Sequence, residues 1–139
     1  MTSETETIAR RFLQAWNAGG ERIVDELASP DLLVSYTHFP EPLRGSEAFK
    51  HALRETHEYF PDLEILAKEV ITTGSTAVVR WCYRATHRRG ELFGIAAEGR
   101  RVEVCGITIY RIEAGLVRSE EGVVDNLGLM GQLRAPSTG

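Results

Sequence analysis

The order in which two hydrophobic periodicities appear along the chain predicts an α+β fold. Residues 1–62 carry apolar side chains at helical spacing, interrupted by turn residues, and residues 63–125 carry long β-branched and aromatic runs separated by short glycine-bearing turns. Helices that come first and antiparallel strands that follow segregate to opposite layers, with the helices on one face of the sheet. At 139 residues the chain is one domain, long enough for a proper core and a cavity. We place that domain at 1–133 and a flexible tail at 134–139.

Composition excludes several function classes. The apolar share of 42% and charged share of 26% are ordinary for a soluble globular protein. A net charge of −4, with basic residues scattered in pairs such as Arg88-Arg89, gives no nucleic-acid footprint. No apolar run approaches the roughly 20 residues of a membrane span. The N-terminus lacks the basic-then-apolar form of a secretory leader, and the expected location is the cytoplasm. Cys82 and Cys105 lie far apart in strand-like stretches and are expected as buried free thiols in a reducing compartment. His38, His51, His57 and His87 form no metal-ligand spacing, so no metal is expected.

Each element follows from local pattern. Ser3-x-x-Glu6 is a capping box that opens a first helix, with Ile8, Phe12 and Trp16 on one face and Asn17–Gly20 as its stop. A second short helix covers about Glu21–Ala28. Asp31–Tyr36 reads as a strand and the proline-bearing Thr37–Arg44 as loop. Ser46 is the expected N-cap of a third helix with Phe49, Leu53 and Phe60 at helical spacing, ended by Pro61-Asp62. Strands follow at Leu63–Thr72, Thr76–His87, Arg101–Ile112 and Leu116–Asp125, joined by a turn at 73–75, a loop at 88–100 and a hairpin at 113–115. A short apolar helix closes the domain.

The turns set an expected register. A hairpin centred on Ala114 pairs Asp125 with Glu103, Val123 with Cys105 and Glu121 with Ile107. A loop centred on Gly94 pairs Cys105 with Tyr83 and Ile107 with Trp81. One face then carries Asp125, Glu121, Ile107, Trp81 and Tyr83, and a one-residue slip in either pairing exchanges partners between faces. In that register two carboxylates line an apolar surface, where desolvation raises a carboxyl pKa toward the range that suits proton abstraction from carbon. Asp125 also suits the N-cap of the terminal helix, and Glu121 also suits a solvent rim. His38, in the loop after the first strand, stands at a pocket mouth or in solvent. Phe12, Trp16, Phe49, Leu53 and Trp81 serve as core, pocket wall, or both.

A set of short motifs in order resembles a known family: Phe60-Pro61-Asp62-Leu63, Val79-Arg80-Trp81, Thr86-His87, Gly90–Ile95, Gly99-Arg100, Tyr110-Arg111-Ile112, Gly115 and Val124-Asp125 followed by Leu129 and Gln132-Leu133. The chain resembles the SnoaL-like polyketide cyclases, which share the cone-shaped fold of ketosteroid isomerase. The resemblance implies a curved antiparallel sheet on about three N-terminal helices, a cone-shaped α+β barrel enclosing an apolar pocket. It implies intramolecular aldol-type ring closure of an aromatic polyketide ester, without metal or cofactor. Asp125 matches the family's acid/base aspartate and His38 its pocket histidine, which makes both the expected catalytic residues. The expected substrate-binding residues are Phe12, Trp16, Phe49, Leu53, Trp81, Tyr83, Ile107 and Glu121. The chain departs from the family at Glu121, where tryptophan is usual, at Ala85, at Ala97-Glu98 and at Arg134. The added carboxyl of Glu121 leaves other acid/base reactions open, among them epoxide hydrolysis, dehydration, isomerisation and assistance of hydroxylation, as well as non-catalytic binding of a small molecule. The expected partners are a small aromatic polyketide and further copies of the chain, as a homodimer or homotetramer.

Overall fold

Residues 3–135 are described by a computed structural model. Helix α1 (Glu4–Leu13) starts where Ser3 Oγ accepts the Glu6 N–H at 3.1 Å, the first half of the expected capping box. The Glu6 side chain does not close the box; it pairs with Arg10 at 2.7 Å, one turn on. The helix tightens into a 3₁₀ turn at Gln14–Trp16 before α2 (Glu21–Leu27). Gly20 permits this corner, because a Cβ there would lie 2.6 Å from the Ala15 Cα. Strand β1 (Ala28–Tyr36) starts earlier than predicted, and part of the predicted loop forms a short edge strand, β2 (Leu43–Arg44). Helix α3 (Ser46–Tyr59) takes Gly45, at φ 87°, as its N-cap residue. The prediction of Ser46 as cap is off by one position: a positive φ is needed to enter this helix, and glycine adopts it without strain.

The remaining strands are β3 (Glu64–Thr73), β4 (Thr76–Thr86), the two-residue β5 (Glu91–Leu92) and β6 (Ile95–Ala96), β7 (Arg101–Glu113) and β8 (Leu116–Val124). Helix α4 (Asn126–Arg134) follows. Arg134 belongs to this helix, not to the predicted tail, and residues 136–139 lie outside those described. Six strands form one curved sheet in the order β2-β1-β8-β7-β4-β3, antiparallel except for the parallel β1–β8 pair. Together with α1–α3 this is the mixed α+β layering that the element order predicts, curved into the cone that the resemblance implies. The helices cover the inner face over a core that includes Phe12, Phe49, Leu53, Val79 and Tyr110, all fully buried. Among the described residues no helix is long and apolar enough to cross a membrane.

The register departs from the expected one, and two turns explain why. Phe93 and Gly94 both have positive φ (52° and 76°), as do Ala114 and Gly115 (52° and 78°). Two-residue hairpins need positive φ at both central positions, so each turn is centred between two residues. The β4–β7 ladder therefore pairs Trp81 with Gly106 and Cys82 with Cys105, one residue away from the predicted match. On β8 an extra residue, Arg118, bulges between Val117 and Ser119. Before the bulge Val117 faces inward. After it Glu120, Gly122 and Val124 face inward while Glu121, Val123 and Asp125 turn outward.

The cysteines also differ from expectation. Cys82 and Cys105 stand directly opposite each other on the outer sheet face and form a disulfide. Sequence separation gives no hint of this pair, because the one-residue correction in the β4–β7 register is what brings them together.

Candidate active site

A cavity of about 330 Å³ lies between α3, the inner sheet face and the start of α4. Its deep wall is aromatic: Trp16 from the 3₁₀ turn, Tyr36 from β1, and Trp81 and Tyr83 from β4. Helix α3 adds Thr56 and Tyr59, and the mouth is framed by His38, Phe39, Leu92, Phe93 and Asn126. The β5–β6 hairpin places Leu92 and Phe93 there, and this hairpin hangs from His87, whose Nε2 bonds the Gly90 carbonyl at 2.9 Å. His87 is buried against Tyr59 and Phe60, so it supports the rim and does not enter the cavity.

Two glycines make room for the aromatic wall. A Cβ at Gly106 would sit 2.5 Å from Trp81 Cζ2, and one at Gly122 would sit 2.6 Å from Tyr36 Cε1. Strand glycines of this kind mark close approach of another group. The polar edges of Trp16, Tyr36 and Trp81 point away from the cavity into a buried network. Glu120 Oε2 accepts the Tyr36 hydroxyl at 2.6 Å and the Trp16 indole N–H at 3.0 Å. Thr108 Oγ1 accepts the Trp81 indole N–H at 2.9 Å and lies 3.0 Å from the Tyr36 hydroxyl.

The titratable groups at the cavity differ in character. His38 sits at the mouth, its ring 4.8 Å from that of Phe39, and partial burial lowers its pKa, which keeps the imidazole neutral and able to accept a proton at neutral pH. The Tyr83 hydroxyl makes no hydrogen bond to the described residues. Burial holds its phenol well above the ordinary range, so it is a donor at any physiological pH. Glu120 has no cation beside it among the described residues, and its burial raises its pKa to about 7.

The structure separates the residues that the sequence grouped together. Trp16, His38, Trp81 and Tyr83 line the cavity as expected. Phe12, Phe49 and Leu53 are fully buried in the core behind it, with Phe49 edge-on to Trp16 at 5.5 Å. Ile107 is 46% exposed on the outer face. Glu121 is exposed there too, paired with Arg111 at 3.2 Å. Asp125 is exposed, outside the cavity lining, and accepts the Gly128 N–H at 2.8 Å as the N-cap of α4. The bulge at Arg118 is the reason: it turns the odd-numbered residues of β8 away from the cone. The carboxylate that does face inward, Glu120, is absent from the sequence reading. Gly122 is the signal that marks the true inner row, since a glycine between Glu121 and Val123 in a strand has no packing use on an open face.

A family model for SnoaL-like polyketide cyclases matches residues 6–133. The chain belongs to the SnoaL-like polyketide cyclase family. Among solved structures it is similar to TsrD from Streptomyces laurentii, with 31% identity, 96% of each chain covered and a TM-score of 0.81. A candidate polyketide cyclase from Acidithiobacillus ferrooxidans is 22% identical, with 96% of each chain covered and a TM-score of 0.84. AclR, a candidate hydroxylase from Streptomyces galilaeus, is 22% identical, with 98% of this chain and 85% of that one covered and a TM-score of 0.79. These last two likenesses concern the fold. No curated protein sequence matches the chain.

Proposed function

We propose that this SnoaL-like chain closes a ring in a flat aromatic polyketide ester by intramolecular aldol-type condensation, with His38 as the proton-transfer group. The observation that carries this reading is the aromatic-walled cavity with a neutral imidazole at its mouth. Ring faces on several sides suit a planar ligand. His38 removes a proton from the activated methylene next to the ester, and the enolate so formed attacks a ketone of the same molecule. The new alkoxide then takes the proton back from the imidazolium. Protons alone balance the sequence, and the Tyr83 hydroxyl, without a partner among the described residues, donates to the developing oxyanion. Holding both reacting groups in one cavity supplies much of the acceleration.

In this reading Asp125 serves the site indirectly, by capping the helix that brings Asn126 and Leu129 to the cavity. The test is ring closure of an anthraquinone β-keto methyl ester, followed by absorbance, for wild type, His38→Ala and Asp125→Asn. We expect turnover to fall about 10²–10⁴-fold in His38→Ala and by less than about threefold in Asp125→Asn, since asparagine also caps helices. The opposite pattern would move the acid/base role to Asp125, as the family resemblance implies. No closure by wild type above the uncatalysed rate would end the aldol reading.

A further inference from the structure

Among the described residues Glu120 is the charged-type side chain most completely removed from solvent, with no exposed surface at all. Its two oxygens are used unequally. Oε2 accepts from both Trp16 and Tyr36, while Oε1 is buried without a partner among the described residues. Its cross-strand neighbour Tyr110 likewise holds a buried hydroxyl without a partner among the described residues. The groups that face it are Trp16 from the 3₁₀ turn, Tyr36 from β1 and Tyr110 from β7, and all are neutral.

We propose that Glu120 is a positioning residue of the cavity: it gathers the Trp16 indole N–H and the Tyr36 hydroxyl onto one oxygen behind the wall, which leaves ring faces as the ligand-binding surface and selects flat aromatic ligands over flexible ones. This deepens, and rests on, the reading of the cavity as a site for planar polyketides. Three side chains from distant stretches meet here, since Trp16 and Glu120 are 104 residues apart and Tyr36 and Glu120 are 84 apart. Without the shared oxygen the Trp16 indole N–H would lose its acceptor and turn its polar edge toward the cavity, and Tyr36 would keep only Thr108 Oγ1, because a buried donor left unpaired is costly. Burial raises the pKa of Glu120 to about 7, and the bonds from Tyr36 and Trp16 oppose that rise.

The test uses two probes, the planar 1,4-dihydroxyanthraquinone and the flexible geraniol, with binding followed by tryptophan fluorescence at pH 6.5 and the Trp16 indole N–H followed by NMR. Glu120→Leu, which removes both acceptors, should weaken the planar probe by about ten- to thirtyfold, leave geraniol within about threefold and move the indole resonance. Glu120→Gln, the conservative rescue, keeps a carbonyl at the same place and should restore planar binding and the resonance. If Glu120→Leu does not fold, Trp16→Phe and Tyr36→Phe carry the test, because each keeps a ring and deletes a donor. Equal weakening of both probes, or an unchanged resonance and unchanged planar binding in the leucine variant, would overturn the proposal, as would a wild type that binds no planar probe. Wild type that binds the planar probe selectively but closes no ring would sink the aldol reading and leave the role of Glu120 standing.

Discussion

The Tyr36 hydroxyl donates to Glu120 Oε2 at 2.6 Å inside the core, on the side of the wall that the ligand cavity does not reach. The bond links β1 to β8, the parallel pair of the sheet. It also fixes a proton balance. Glu120 is raised from an ordinary 4.5 to about 7 by burial, with the bonds from Tyr36 and Trp16 opposing that rise. Below about pH 4.5 the folded and unfolded chains are both protonated at this site. Between about 4.5 and 7 the unfolded chain ionises while the folded one does not. The stability that the group contributes is therefore lost as pH rises, by roughly 3 kcal/mol over that window.

Glu120→Gln removes this titration. In urea unfolding, the stability of the variant minus that of wild type should grow by about 3 kcal/mol between pH 4.5 and 7.5. A difference that stays flat over that range would show that Glu120 ionises alike in both states.

His38 predicts the acid limb of activity. Its pKa is lowered by partial burial, and its neutral form is the proton acceptor. Turnover should hold at neutral pH and fall as the pH drops through a value below the ordinary histidine one. The residual activity of His38→Ala should lack that limb. A pH–rate profile of the two proteins decides the point.

Asp125→Ala should cost about 1 kcal/mol, the usual value of a lost N-cap, and Asp125→Asn only a few tenths. Thermal unfolding of the two variants measures this directly. A loss well above the cap value in Asp125→Asn would mean that the carboxylate has a further partner.

Gly106→Ala drives a methyl group into Trp81 and the Val123 backbone. We expect a loss of about 1–3 kcal/mol, the range for overpacking, together with displacement of Trp81, visible as a shift in near-ultraviolet circular dichroism. An unperturbed Trp81 signal would contradict the close approach across the β4–β7 pair.

The Cys82–Cys105 bridge closes a loop between residues 23 apart. Chain-entropy arguments put its contribution at roughly 3 kcal/mol. Reduction, or Cys82→Ser with Cys105→Ser, should lower the melting temperature while leaving planar-probe affinity unchanged, because the bridge lies on the outer face. An affinity that changes in step with stability would show that the outer face is coupled to the cavity.

Much of the fold was legible because it rests on periodicity. Ile8, Phe12 and Trp16 repeat at helical spacing, and the helices-then-strands order fixed the layers. The motifs from Phe60 to Leu133 carried the family. The cavity was legible only in part. Trp16, His38, Trp81 and Tyr83 were found because aromatic residues and a loop histidine stand out in any register. Ile107 was placed on the inner face because the loop before β7 was centred on Gly94 rather than between Phe93 and Gly94, and Glu121 and Asp125, which share the Ile107 face of the β7–β8 pair in both registers, went with it. A strand face depends on counting, so an error of one exchanges the whole row. Glu120 was hidden by the same count, since its neighbour Glu121 offered an equally good carboxylate to a reader without the bulge.

A β-strand is a text read at every second letter, and Arg118 is a silent letter in it. Deleting that residue would restore plain alternation from Val117 onward and leave Glu120, Gly122 and Val124 in the positions they now hold. Two related chains that differ by this one letter would share the same cavity, and chains of identical length that place the silent letter elsewhere would not. For this strand, then, what an alignment must match is phase, and a carboxylate that keeps its column can still lose its side of the sheet.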